Sequence, residues 1–369
     1  MGVKGEFPGD LRTFRCGWRQ WRGGSPVPDL IVTRFSHHCL FLLACLLLGS
    51  CQTAKFYGQA VGGQLEIFRK SRPIPPIIAD SGADPKLRCQ LVAVQGIRQF
   101  ASEHLTLAGD ESYGNYADLG RKYVTWVLYA APEFSLKPKT WWYPTLGHLE
   151  YRGFFREADA HELADQLRAR GHDVEVGGVE AYSTLGWFHD PVLNCFVHKS
   201  EIALAELIFH ELTHRRLFRN GDTAFNESLA TAFAEECVKR WLRHQNRSAD
   251  LRKYQQLLVR RNQFYDKIDV TRVQLEALYA SGKTEGEMRR EKAALLADLQ
   301  QNFRELRRRW GGSGLESWLT QDLNNAHLVS IITYQKNVPL FHRLLAECGG
   351  DIDLFFKRAA KLDLAAAGD

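Results

Sequence analysis

Apolar residues recur at three- and four-residue spacing over Val61–Arg69 and Leu87–Leu107. That spacing predicts helices, interrupted by the Pro-rich run Arg72–Ile77, and the whole stretch 52–135 reads as mainly helical scaffold. From Leu136 the texture changes to aromatics, Gly and Pro, and Tyr151–Phe155 reads as a strand. A helix follows over Ala158–Arg170, closed by Gly171, and Asp173–Val179 then alternates at period two, as a half-buried strand does. Strand, helix and strand in that order predict a small sheet. Glu201–Phe218 and Phe225–Trp241 read as two helices separated by the turn Arg219–Asp222. Leu251–Leu278 and Glu287–Trp310, joined by the polar turn Ala280–Lys283, read as a charged helical hairpin. Gly311–Gly314 marks a joint, and Leu315–Phe356 reads as further helices. The expected class is α+β, predominantly helical, with a small sheet and an inserted helical hairpin.

Composition changes this picture little. The chain has 369 residues, 45% of them hydrophobic and 25% charged, and a net charge of +5. That is an ordinary globular balance, with enough apolar residues to bury a core. Residues 1–34 hold six Lys/Arg against three Asp/Glu, so the rest is nearly neutral and gives no case for nucleic acid as a partner.

The first fifty residues read as targeting sequence. Phe41–Leu48 is too short to span a bilayer, which takes roughly 20 residues, but suits the apolar core of a signal peptide. Leu48-Gly49-Ser50-Cys51 resembles the lipobox of bacterial lipoproteins, which implies lipid on Cys51. A plain secretory signal or a buried apolar segment is the alternative. Residues 1–33 are long and rich in Arg, Trp and Pro for such a leader, and fit a mis-assigned start or a disordered extension. Gln52 stands where lipoproteins kept in the inner membrane often carry Asp, which favours the outer membrane. The expected location is therefore the bacterial cell envelope, lipid-anchored and facing the periplasm. Beyond Cys51 four cysteines remain: Cys89, Cys195, Cys237 and Cys348. They are scattered, with no C-x-x-C pair, so they suggest neither a cysteine zinc site nor a redox motif. They could pair in an oxidising compartment or stay as buried thiols.

Candidate chemistry centres on His210-Glu211-Leu212-Thr213-His214. Two imidazoles four residues apart lie on one helix face, one turn apart, and can grip one ion. Glu211, a step round the helix, can take the proton of an attacking water as general base. Leu204, Leu207, Ile208 and Phe209 before the motif, and Leu217 and Phe218 after it, make this a buried helix. Polar side chains there need a reason. Ordinary helix histidines would be the plainer reading of five residues alone.

A catalytic Zn2+ needs a third protein ligand and an open position. Glu227, in Asn226-Glu227-Ser228-Leu229-Ala230, opens the next helix and resembles the N-E-x-x-A segment of glutamate zincins. Only twelve residues separate it from His214, so the connection must be tight. Asp222, Glu235 and Glu236 are rival ligands. Thr231 stands where such enzymes often have an acid supporting a metal histidine, so that support must come from elsewhere. For the donor that stabilises a developing oxyanion the candidates are Tyr334, then His327 and Tyr182. Gly177–Leu185 is the candidate edge for an extended peptide.

Together with Tyr116–Arg121, Ala131–Leu136, Tyr151-Arg152-Gly153, Gly177–Val179, Ala181–Phe188 and Gly221–Ser228, these residues resemble the putative aminopeptidase family of bacterial lipoproteins over about Cys51–Phe341. The resemblance implies a zincin-like, membrane-anchored zinc peptidase acting on peptides. His148 stands where a cysteine is expected before the Tyr-Arg-Gly segment, so no disulfide is expected in that loop. Four regions are expected: a leader at 1–50, a zincin-like catalytic region at 51–245, the hairpin at 246–310 and C-terminal helices at 311–369. An aminopeptidase also needs an acid for the free amine; Glu175, Glu180 and Asp190 are candidates. Two alternatives remain open: an endopeptidase, and a non-catalytic scaffold whose hairpin, residues 246–310, binds a protein partner.

Overall fold

A computed structural model describes residues 51–107, 112–144, 146–181, 184 and 188–363, with only the backbone of Cys51 and Gln52. The leader expected at 1–50, the lipid-bearing thiol of Cys51 and the phenol of Tyr182 lie outside the described residues. In chain order the elements are α1 Cys51–Lys70, β1 Ser71–Pro73, α2 Ile74–Ala79, α3 Pro85–His104, β2 Asn115–Ala117, β3 Thr125–Pro132, β4 Trp141–Tyr143, β5 Gly147–Leu149 and β6 Arg152–Phe154. Then come α4 Glu157–Arg168, β7 His172–Val179, β8 Val192–Leu193, α5 Asn194–Val197, α6 Glu201–Arg216, α7 Thr223–His244, α8 Ser248–Tyr279 and α9 Glu285–Arg309. The chain closes with α10 Glu316–Thr320, α11 Asn325–Gln335, α12 Val338–Glu347 and α13 Ile352–Ala359. The architecture is α+β and predominantly helical, with small sheets.

Local chemistry sets the helix boundaries. Asp84 caps α3 by accepting from the N–H groups of Lys86 and Leu87, with Pro85 in the first turn. Thr284 and Glu287 form a reciprocal capping box on α9. Helix α8 and helix α9 pack along Phe264, Ile268 and Leu275 against Leu296, Leu299, Phe303 and Leu306, and Leu328 of α11 joins that cluster. The hairpin is thus closed on itself and seated on the body.

The central sheet corrects the helical reading of 52–135. Its order is β6-β3-β7, with β3 antiparallel to both neighbours. The expected strand–helix–strand unit exists as β6, α4 and β7, but β3, from the supposed scaffold, lies between its strands. Trp126, Leu128 and Ala130 pack with α4 residues on one face, while Tyr129 and Ala131 are buried on the other. A strand covered on both sides is a continuous apolar run, without the alternation that betrays a half-exposed one.

The largest core gathers α3, α6, α7, α12 and α13 around Phe209, Phe225, Phe233, Trp241, Phe341 and Phe355. Cys89, Cys195, Cys237 and Cys348 are all free thiols.

Candidate metal centre

Ser200 caps α6, accepting from the Ala203 N–H. The helix then buries Leu204, Ile208, Phe209 and Leu212. Its two histidines stand ring against ring, centroids 4.8 Å apart and nearly perpendicular. The turn to α7 is held from both sides. The Gly221 N–H donates to the Leu146 carbonyl, a Cβ on Gly147 would stand a tight 3.2 Å from the Gly221 Cα, and both residues adopt the positive φ that favours glycine.

Three consecutive buried polar residues then do three different things. Asn226 brackets the turn, its amide donating to the Arg219 carbonyl at 2.8 Å while its side-chain oxygen accepts the Arg219 N–H at 2.7 Å. Glu227, the next residue, faces the imidazoles. Ser228 donates to the Tyr334 carbonyl and accepts the Asn337 N–H, both at 3.2 Å, and so fixes the end of α11.

Glu227 Oε2 lies 3.2 Å from His210 Nε2 and 3.6 Å from His214 Nε2, and the two Nε2 atoms are 3.1 Å apart. Adjacent corners of a tetrahedron drawn at zinc–ligand distances of about 2.1 Å are ~3.4 Å apart. The three donors therefore fit one face of a zinc tetrahedron, and the set can hold a metal ion. The electrostatics agree. Burial alone would raise the Glu227 carboxyl, yet His214 and His210 pull it down to about 2. Burial would lower His210, but its bond to Glu227 and that charge raise it above 6.5. Among the described residues the inner ring nitrogen of His214, Nδ1, has no partner, so the acid absent at Thr231 is not replaced there.

Opposite the carboxylate stand tyrosines. Tyr129 from β3 and Tyr151, just before β6, lie with ring centroids 5.8 Å apart. The Tyr334 hydroxyl interacts with that of Tyr129; burial and the Glu227 charge push it well above its ordinary value. Tyr151 is raised by burial and by the charge of Glu227, with a smaller contribution from Glu211. Tyr334 thus lies with Tyr129 and Tyr151 within reach of the Glu227 charge. Tyr129 and Tyr151 were not singled out, although Tyr151 opens the Tyr-Arg-Gly segment. Glu150, also not anticipated, accepts the Thr333 hydroxyl at 2.6 Å and contributes to the upward shift of Tyr129.

The rival positions have other duties. Asp222 caps α7 by accepting the Phe225 N–H. Glu235 pairs with Arg261 and His342, and Glu236 with Lys239 and Arg240. His327 binds Glu175 at 2.6 Å through Nε2, while its Nδ1 meets Asn324, so both ring nitrogens are occupied by these partners. That pair also occupies Glu175. Glu180 pairs with Lys199, and Asp190 is buried, accepting the Thr184 N–H. The strand expected at Gly177–Leu185 ends at Val179. β7 is nonetheless the sheet's outer strand on that side.

A mainly helical α+β chain with a buried His–His–Glu group able to hold a metal is what fold and site define. The chain belongs to the family described as "Putative aminopeptidase", whose model matches residues 55–367. No curated protein and no solved structure matches it.

Proposed function

We propose that the protein is a zinc-dependent peptidase that trims peptides from the amino end, with His210, His214 and Glu227 as the metal ligands. The observation that carries this reading is the convergence of the Glu227 carboxylate on two imidazole nitrogens in a largely buried group. A purely structural set has no use for the half-buried Glu211 beside it. His210, His214 and Glu227 would hold zinc, which would supply Lewis acidity for the scissile carbonyl and activate water at neutral pH. Glu211 takes the proton of that water and returns it to the leaving amine. The Tyr334 hydroxyl donates to the carbonyl oxygen as charge grows there, and Tyr129 orients that hydroxyl. β7, as an outer strand, offers its backbone to an extended peptide.

The family description supports amino-terminal trimming, which needs an anion for the free amine. Glu175 and Glu180 are committed to His327 and Lys199, so we assign the amine to Glu150, beside the tyrosines. The sequence features of the leader support a lipid anchor on Cys51 and a periplasm-facing place in the envelope. Glu211→Gln tests the mechanism: hydrolysis is expected to fall by about 10²–10⁴-fold with zinc retained. Unchanged activity would refute Glu211 as base, and a peptide-library profile dominated by internal cuts would refute amino-terminal trimming.

A further inference from the structure

Helix α1 is apolar on two sides. Its inward stripe is Phe56, Gln59, Gly63 and Ile67, all buried. Gln59 accepts the Phe155 N–H at 2.6 Å, and a Cβ on Gly63 would stand 2.1 Å from the Phe155 ring. A second stripe, Tyr57, Val61, Leu65 and Phe68, recurs at four, four and three residues. It therefore runs along one face for about 17 Å. These side chains are 38–60% exposed. Phe188 extends the ridge, edge to face with Phe68 at 4.9 Å and itself 46% exposed. Scattered exposed apolar residues need no explanation, but a continuous ridge does.

Charge narrows what can cover it. Helix α1 carries Lys55, Arg69 and Lys70 against one acid, Glu66, and that acid is already paired with Arg121 at 2.6 Å and Lys70 at 3.1 Å. Arg72 follows directly and is exposed. The ridge thus ends beside the exposed cations Arg69 and Arg72, with aromatic rings at both ends. Among the described residues no helix is long and apolar enough to cross a membrane. An apolar stripe with a cationic rim suits a helix lying in the headgroup layer of an anionic bilayer. The helix also opens at Cys51, directly after the apolar segment Phe41–Leu48.

We infer that the ridge Tyr57, Val61, Leu65, Phe68 and Phe188 is a docking face that seats the folded protein on an anionic phospholipid surface. This shares with the proposed function only its envelope location and is independent of peptidase chemistry. Phe188 lies on the segment that leads from β7 to the buried Asp190, so the docking face adjoins the loop that follows the candidate substrate strand.

The test is sedimentation of the full chain carrying Cys51→Ser, which cannot be lipidated, with vesicles of phosphatidylethanolamine and phosphatidylglycerol. Binding is expected to weaken on phosphatidylcholine vesicles and in high salt. Adding Leu65→Glu and Phe68→Glu is expected to reduce it at least about tenfold with thermal unfolding unchanged. Val259→Glu with Val270→Glu, exposed on the hairpin, is expected to leave it intact. The leader is common to all these chains, so the difference reads the helix face. Equal binding with and without the α1 substitutions, no binding by the Cys51→Ser chain, or a dimer that the α1 substitutions disperse would overturn the inference. An inactive peptidase would not bear on it, and cleavage of soluble peptides by the α1 variants is expected to be unchanged.

Discussion

Replacing Glu227 by Gln keeps the size of the side chain and removes its charge, which separates its two duties. In the metal-free protein the carboxyl is pulled from 4.5 down to about 2. That shift corresponds to about 3 kcal/mol of favourable interaction with the imidazoles. The sign follows from the depression: this stability is present above pH 4.5 and is lost as pH falls through about 2. The Glu227 charge raises His210 above its ordinary value, so mildly acidic conditions favour the charged pair. Urea unfolding of the metal-free Glu227→Gln variant at pH 6 is therefore expected to show a loss of about 3 kcal/mol. At pH 7.5, zinc at a hundredfold excess over its dissociation constant stabilises the wild type by about 2.7 kcal/mol. A tenfold weaker site at the same zinc concentration gains only ~1.4 kcal/mol. Asp222→Ala is the control, expected to lose about 1 kcal/mol through its cap but to keep the full zinc gain. A full zinc gain in Glu227→Gln, or its loss in Asp222→Ala, would show that the third ligand has been misassigned.

Zinc affinity, read by competition with a chromophoric chelator, is expected to fall about tenfold per pH unit once His210 is protonated. Because its pKa is raised, that decline sets in above pH 6.5, and the same group's contribution to the metal-free fold fades as pH rises through the raised value. Tyr334→Phe is expected to lower kcat by about 10²–10³-fold with little change in KM; a KM effect alone would make it a binding residue. Glu150→Gln is expected to raise KM for peptides with a free amine by roughly 10–100-fold and to leave N-acetylated peptides unaffected. Asn325→Ala is expected to cost about 2–3 kcal/mol in urea unfolding. Its amide donates to the carbonyls of Pro132, Glu133 and Ser135 and its oxygen accepts the Tyr279 hydroxyl, so α11, the loop after β3 and the hairpin all lose a partner.

The parts of this molecule legible in sequence are those whose signal is local. Helix α4 and the hairpin emerge from spacing because each buries one stripe, whereas α6 and α7, the latter buried nearly all round, emerge from long apolar runs bounded by the turn Arg219–Asp222. The His210–His214–Glu227 group is legible because one helical turn separates the two histidines and because Asn226-Glu227 opens the next helix. β3 was hidden by being buried on both faces, and with it went Tyr129. Glu150 and Tyr151 were hidden because their meaning lies in contacts with residues about 180 positions away, Thr333 and Tyr334. Asp222 reads as a ligand for the same reason that it caps a helix: a short carboxylate ahead of an apolar run suits either task.

The three residues of the candidate metal group come from two consecutive helices and lie within 17 positions of one another, whereas Tyr129 comes from β3 and Tyr334 from α11, elements in contact but about 200 positions apart along the chain. Contacts close in sequence form with little loop-closure cost, and distant ones must wait for the chain to assemble. The ion-holding half of the centre can therefore take shape in an incompletely folded chain, ahead of the hydroxyl half. Damage near the C-terminus would then produce a protein that carries metal and does nothing with it, and metal content alone would be a poor measure of how much of a preparation is competent.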